Sequence, residues 1–294
     1  MHFLILCILS STSIFVIFRS IDHFGIPSFP IIVINYLVAS ILGFIINSGD
    51  SSPETIRHAQ WLPISIMIGI LFIIMFFLIA FSSQKAGISV TTVASKMSVI
   101  FPIIFSLVID PSDKLTFLKT AAIFTTLVGV ALTIYKPLRK GSFDPAVIYL
   151  PLILFFGMGI VDSLVKFAQY RFVGNADTAL FSAILFLNAF LSGLFVLLFF
   201  PKYRKSFKRP TVWAWGLLLG AVNFGSIYFL VRALNYRAPS GTGIDSSTIF
   251  GINNIGIVAL SVLLGLWIFR ERLQPLNWIG IIMSALALLL FTLG

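Results

Sequence analysis

The chain has 294 residues, of which 59% are hydrophobic and only 10% are charged, and its mean hydropathy is +1.05. A soluble domain has roughly 45–50% apolar and about 25% charged residues, so this composition excludes a soluble globule, a disordered chain, a coiled coil and a secreted disulfide scaffold. The net charge of +10 does not indicate a nucleic-acid binder, because the basic residues lie between apolar runs. With Cys7 as its one cysteine, the chain can form neither an intramolecular disulfide nor a CxxC metal site.

Ten apolar runs follow one another along the chain, each close to the roughly 20 residues that an α-helix needs to cross a bilayer. The first has no cationic leader and no small-residue cleavage site, so we expect a first span rather than a cleaved signal. The sequence therefore predicts an all-α membrane protein with ten transmembrane helices. The runs lie at 3–19, 28–47, 61–82, 88–109, 116–135, 146–169, 177–199, 212–234, 246–269 and 275–293.

The two halves of the sequence resemble each other. With shifts of 152, 153 and 158 residues, the matches are Trp61 with Trp213, Lys85 with Arg237, Ala86 with Ala238, Asn35 with Asn188, and 113–115 (DKL) with 271–273 (ERL). We therefore predict a first repeat at 1–137 and a second at 145–294. Because five spans is an odd number, the second repeat enters the membrane inverted, an arrangement that recurs among transporters. The alternative is chance similarity between two apolar halves.

Three segments carry a resemblance to a known family. Residues 269–290 (FRERLQPLNWIGIIMSALALLL) resemble the closing motif of EamA-type domains of the drug/metabolite transporter superfamily. Residues 233–241 (ALNYRAPSG) and 92–102 (TVASKMSVIFP) resemble the turn before the fourth helix of a repeat and that helix itself. The resemblance implies two EamA-like repeats and a transport function. The first predicted span has no acidic residue, so the glutamate of small multidrug relatives has no counterpart there.

The basic residues are unequally shared between the two sides of the membrane. Loops on one side hold twelve lysines and arginines, including those of the segment PKYRKSFKRP at 201–210, and the other side holds five. Cytoplasmic loops are enriched in Lys and Arg. We therefore expect both termini to lie outside the cytoplasm of a cell (inner) membrane protein.

Lys96 lies eight residues into the fourth predicted span, about 12 Å from the cationic side. An ionisable group at this depth is costly and marks a functional site unless it extends to the surface. Its neighbours Ser95 and Asn35, together with amides on later spans, predict a polar substrate site. Those further amides are Asn188, Asn223, Asn253 and Asn254. Each amide taken alone is better explained as a link between helices than as a ligand-binding group, and it is their number at similar depth that predicts a polar cavity.

Asp162 and Lys166 are four residues apart on one helical face, and Arg232 is predicted at a similar depth. The three side chains form either a structural ion cluster or a gate.

These features predict a secondary transporter, with export as the expected direction, of small polar solutes, anionic or zwitterionic in view of Lys96. No catalytic or metal-binding motif is present, so we expect no enzyme activity and no cofactor. The alternative is a non-transporting structural or regulatory membrane subunit. The expected partners are the solute and the lipid bilayer, with no nucleic acid; a coupling ion and the choice between monomer and homodimer are left open.

Thiol labelling tests the predicted orientation. In a Cys7→Ala background, Lys205→Cys should react with an impermeant thiol reagent only from the cytoplasmic face, and Ser52→Cys should react in intact cells. The cysteine-free parent controls for background labelling. Reaction of Lys205→Cys in intact cells would reverse the orientation.

Overall fold

A computed structural model of the chain describes residues 2–47, 52–109, 116–135, 144–173, 177–234 and 246–293. These residues form α-helices and contain no β-strand, and every predicted apolar run is helical to within a few residues. The helices are α1 (His2–His23), α2 (Ser28–Ile46), α3 (Pro53–His58), α4 (Leu62–Lys85), α5 (Ile88–Met97), α6 (Ile100–Ile109), α7 (Phe117–Ile134), α8 (Ala146–Arg171), α9 (Thr178–Phe199), α10 (Pro201–Phe207), α11 (Pro210–Leu234), α12 (Ser246–Trp267) and α13 (Pro275–Leu293).

Eight helical segments are long and apolar enough to cross a membrane, judged by length and composition in the described part of the chain. They belong to α1, α2, α4, α5 with the start of α6, α7, α8, α9 and α11. Two shorter apolar segments, Ile252–Trp267 and Pro275–Phe291, lie in α12 and α13.

Many large apolar side chains lie on the surface, while several polar side chains are buried. Asn35 and Ser261 are fully buried, whereas Phe117 is 86% exposed and Trp267 is 78% exposed. Large apolar side chains on the surface are stable when hydrocarbon replaces water around them. The chain is therefore an integral, multi-pass membrane protein.

Proline interrupts the fourth predicted span. Pro102 has no N–H to donate to the carbonyl of Ser98, and the helix is broken between Met97 and Ile100. The Phe101 N–H donates to that carbonyl instead, over 3.0 Å. Pro151, by contrast, lies inside a continuous α8.

The chain forms two compact units. Unit 1 contains residues Met1–Arg19, Ile79–Gly159 and Gly225–Gly294, and unit 2 contains Ser20–Leu78 and Ile160–Phe224. Each unit takes helices from both halves of the sequence, and α1, α4, α8 and α11 contribute to both units.

In unit 1, α7 and α13 pack through small residues. A Cβ placed on Gly129 would lie 2.8 Å from Ser284 Oγ, and one placed on Gly280 would overlap the backbone nitrogen of Thr133. The Nδ2 group of Asn277 fixes the same pair of helices by donating to the carbonyl of Thr133 over 2.9 Å. Contacts of Gly129 with Ser284 and of Gly280 with Thr133 show that the helices run antiparallel.

In unit 2, α2 and α9 pack in the same manner. A Cβ on Gly43 would lie 3.0 Å from the Cβ of Ala183, and one on Gly193 would lie 2.7 Å from Cγ2 of Val33. Ser40 Oγ donates to the Ala183 carbonyl over 3.0 Å. These two helices are also antiparallel. Gly43, late in α2, contacts Ala183, early in α9, and Gly193, late in α9, contacts Val33, early in α2.

Gly280→Ala should destabilise the protein by about 1–3 kcal/mol, because a methyl group there overlaps the backbone of α7. Thermal unfolding in detergent measures the effect. Gly225→Ala is the matched control in unit 1, since its Cβ would lie no closer than 3.3 Å to another heavy atom. Equal melting temperatures for the two variants would contradict the packing argument.

Candidate functional site

The N-terminus of α5 is held by an acidic residue that is distant in sequence. The Glu271 carboxylate accepts hydrogen bonds from the backbone N–H groups of Ile88 and Ser89 and, over 2.7 Å, from the Ser89 hydroxyl. A carboxylate at this end of a helix satisfies free N–H groups and complements the helix dipole. The contact is made within unit 1, and it fixes the helix that carries Lys96.

Two glycines make room for this carboxylate. A Cβ on Gly87 or on Gly265 would lie 2.6 Å from an oxygen of Glu271. Gly87 also has a φ of 95°, which side chains other than glycine rarely adopt. The repeat and the closing motif both include 271–273, and neither predicts that Glu271 caps α5. Asp113, Arg237 and Ala238 from the same comparison lie outside the described residues.

Lys96 lies in the second half of α5 and is partly buried. The thiol of Cys7 on α1, in the same unit, donates to the Ser226 carbonyl of α11 over 3.1 Å. Lys96 belongs to the last turn of α5.

The hydroxyl groups around Lys96 fall into two kinds. Ser95 Oγ, predicted as a site group, donates to the Thr92 carbonyl of its own helix over 3.1 Å. The Thr92 hydroxyl, one turn before Lys96, is buried and has no hydrogen-bond partner among the described residues. Thr92 is not among the residues predicted from the sequence, although its spacing of four residues from Lys96 places both side chains on one face of α5.

The amides predicted on the ninth span also lie in unit 1. Asn253 on α12 is buried, and its Oδ1 has no hydrogen-bond partner among the described residues. Asn254 is partly buried. A buried polar atom without a partner costs about 1–3 kcal/mol, so Asn253 fits a site that a polar ligand completes better than it fits a link between helices.

The remaining predicted amides belong to unit 2. Asn35 on α2 is fully buried, and neither its Nδ2 nor its Oδ1 has a partner among the described residues. Asn188 on α9 donates to Ser65 Oγ on α4 over 3.1 Å, which is the linking role. Asn223 on α11 is buried. Asn35 therefore remains a functional candidate, and Asn188 is accounted for by packing.

The three residues of the predicted ion cluster are divided between the units. Asp162 is partly buried and Lys166 is exposed, both in the unit 2 part of α8, whereas Arg232 belongs to unit 1. Arg232 is exposed, donates from Nε to the Tyr228 hydroxyl over 3.0 Å and lies 5.3 Å from the centre of that ring. Its described contacts are therefore those of a residue held against its own helix.

Comparisons with other proteins extend over almost the whole chain. A Haemophilus influenzae protein of uncharacterised function is 28% identical over 293 residues, covering 98% of this chain and 96% of its own length. A solved crystal structure matches with a TM-score of 0.56 and 16% identity, covering 98% of this chain and 96% of that one. The chain matches no protein-family model. The structural likeness shows a shared fold along the full length.

Glu271→Gln should lower the free energy of unfolding by about 1–2 kcal/mol, because the amide presents one acceptor oxygen and no charge to the α5 N-terminus. The measurement is thermal unfolding in detergent. The neighbouring exposed residue supplies the control, Arg272→Gln. A Glu271→Gln protein as stable as this control would show that the capping contact contributes little.

Proposed function

We propose that this chain is a secondary transporter of small polar solutes, built from two inverted five-helix repeats at 1–137 and 145–294. In this proposal α12 and α13, of 22 and 19 residues, also cross the membrane and complete ten spans. The resemblance of 269–290 to the EamA closing motif supports placement in the drug/metabolite transporter superfamily.

The observation that carries the proposal is the reciprocity of the glycine contacts. In unit 1, a shift of 151 residues relates Gly129 to Gly280 and Thr133 to Ser284. The contact of Gly129 with Ser284 is therefore equivalent to the contact of Gly280 with Thr133. In unit 2, a shift of 150 likewise exchanges the two contacts made between α2 and α9. Each contact is thus made twice, as expected when a two-fold axis relates the partners.

A third pair of contacts in unit 2 follows the same rule. A Cβ on Gly69 of α4 would lie 2.6 Å from the Cβ of Asn188 on α9, and one on Gly220 of α11 would lie 2.6 Å from the Cβ of Val38 on α2. The two glycines are related by a shift of 151, and their partners by the shift of 150 that relates α2 to α9. Asn188 therefore corresponds to Val38, so the similarity between Asn35 and Asn188 is not part of the repeat in this alignment.

The direction of the helices supports inversion. Equivalent helices that pack about a two-fold axis lying in the membrane plane run in opposite directions, and both α7 with α13 and α2 with α9 are antiparallel. Chance similarity between two apolar halves provides no reason for equivalent positions to contact one another reciprocally.

Inverted repeats suit alternating access, in which two related conformations open one site to either side of the membrane in turn. The buried polar atoms near Lys96 in unit 1 provide groups that a solute can satisfy. Solute binding supplies the free energy that shifts such an equilibrium, provided that the two conformations bind it with different affinity.

Counterflow in liposomes tests this proposal. Purified protein reconstituted into liposomes that contain an unlabelled solute should accumulate the same solute in labelled form, for at least one member of a panel of amino acids, carboxylates, sugars and amines. Protein-free liposomes and liposomes without internal solute are the controls. Absence of counterflow across the panel, with folded protein in the liposomes, would favour a structural or regulatory subunit.

A further inference from the structure

We propose that unit 1 contains a binding site for the carboxylate group of the solute, formed by the Lys96 ammonium and the hydroxyls of Thr12, Thr92 and Ser261. This inference names the substrate class and rests on the proposed transport function. It begins from three of the five buried hydroxyls that have no partner among the described residues; the other two are Ser83 and Ser284, and Ser284 lies at the Gly129 contact between α7 and α13.

These hydroxyls differ from buried hydroxyls that bond to their own helix. Thr126 and Thr133 on α7 each donate to the carbonyl four residues earlier, over 2.8 Å, as helical threonines commonly do in an apolar environment. Thr12, Thr92 and Ser261 are at most 1% exposed and make no such bond. Their positions therefore leave donor groups available to a ligand.

Thr92 and Ser261 lie at similar depths on two helices that pack together. Ser89 on α5 meets Gly265 on α12, with its hydroxyl 2.7 Å from a Cβ built on that glycine. The helices are antiparallel there, because the residue that caps the start of α5 follows the end of α12. Thr92 is three residues after Ser89 in α5, and Ser261 is four residues before Gly265 in α12. Because the helices are antiparallel, both residues lie on the same side of the contact, about 4–6 Å from it.

Thr12 reaches the same depth from α1. Ile8 on α1 packs against Gly256 on α12, 2.5 Å from a Cβ built there, and Leu4 lies in one apolar cluster with Ile249. The two helices therefore run in the same direction. Thr12 is four residues and Ser261 five residues beyond the contact, about 6 and 7.5 Å. The three hydroxyls lie within about one helical turn in depth.

Lys96 supplies the positive charge of this site. It is four residues after Thr92 on the same face of α5. The ammonium is a donor only and each hydroxyl can donate one hydrogen bond, so the four groups together can bind an anion, and the positive charge of the ammonium disfavours a cation. One positive charge matches a carboxylate, whereas a phosphate dianion would leave a negative charge unbalanced in hydrocarbon.

The first test compares ligands on the wild-type protein and needs no variant. Thermal stability of the full chain in detergent is measured with acetate, lactate, succinate and alanine, with the matching carboxamides, and with inorganic phosphate. We expect at least one carboxylate to raise the melting temperature, with little or no effect of its carboxamide. Equal effects of carboxylate and carboxamide, stabilisation by phosphate alone, or no stabilisation by any carboxylate would each overturn the proposal.

The second test removes the donors one at a time. Thr92→Val and Ser261→Ala should each weaken carboxylate binding by about tenfold, and Lys96→Gln should abolish the preference over the carboxamide. Thr126→Val, in the same unit, is the matched control and should bind as wild type does. Without ligand, Thr92→Val should be at least as stable as wild type, because it removes an unsatisfied hydroxyl. Unchanged carboxylate binding in both hydroxyl variants would overturn the proposal.

Carboxylate binding, measured in detergent, and counterflow, measured in liposomes, can fail independently of each other. Carboxylate binding without counterflow of any solute would contradict the transport proposal and leave the site intact. Counterflow of neutral solutes that Thr92→Val does not affect, without carboxylate binding, would contradict the site and leave transport intact.

Discussion

In hydrocarbon, an apolar side chain gains little by facing another helix rather than lipid, so helices associate where their backbones can approach closely. Glycine provides this approach in both units, at Gly129 and Gly280 in one and at Gly43 and Gly193 in the other. These contacts fix the positions of the helices and therefore of the polar side chains that the helices carry. Buried polar side chains that find no hydrogen-bond partner on a neighbouring helix are consequently informative, because packing alone does not explain them.

Much of the helical organisation could be predicted from the sequence, because a membrane segment must satisfy its own backbone hydrogen bonds. The apolar runs mark every long helix, and Pro102 accounts for the one interruption between α5 and α6. Lys96 could be recognised as a candidate site residue because a charge within a span is costly wherever the helices pack. Its depth followed from the helix rise alone.

The partners of polar side chains could not be predicted in this way, since they depend on how helices are rotated about their axes. Asn188 and Asn35 look alike in the sequence, yet Asn188 bonds to Ser65 whereas the Asn35 amide is buried without a partner among the described residues. Similarly, Ser95 bonds within its own helix, and Thr92, which attracts no attention in the sequence, does not. The role of Glu271 required knowledge that its loop reaches the start of α5.

The interruption at Pro102 has a mechanical consequence for the span that contains Lys96. The first segment, α5, is fixed at its N-terminus by Glu271 and packs on α12, whereas α6 begins after a break in the hydrogen-bonding pattern at Ser98. A bend at this break changes the direction of α6 and leaves the lysine where it is. The second half of the span, α6, can thus change its direction while the first half, α5, stays in place.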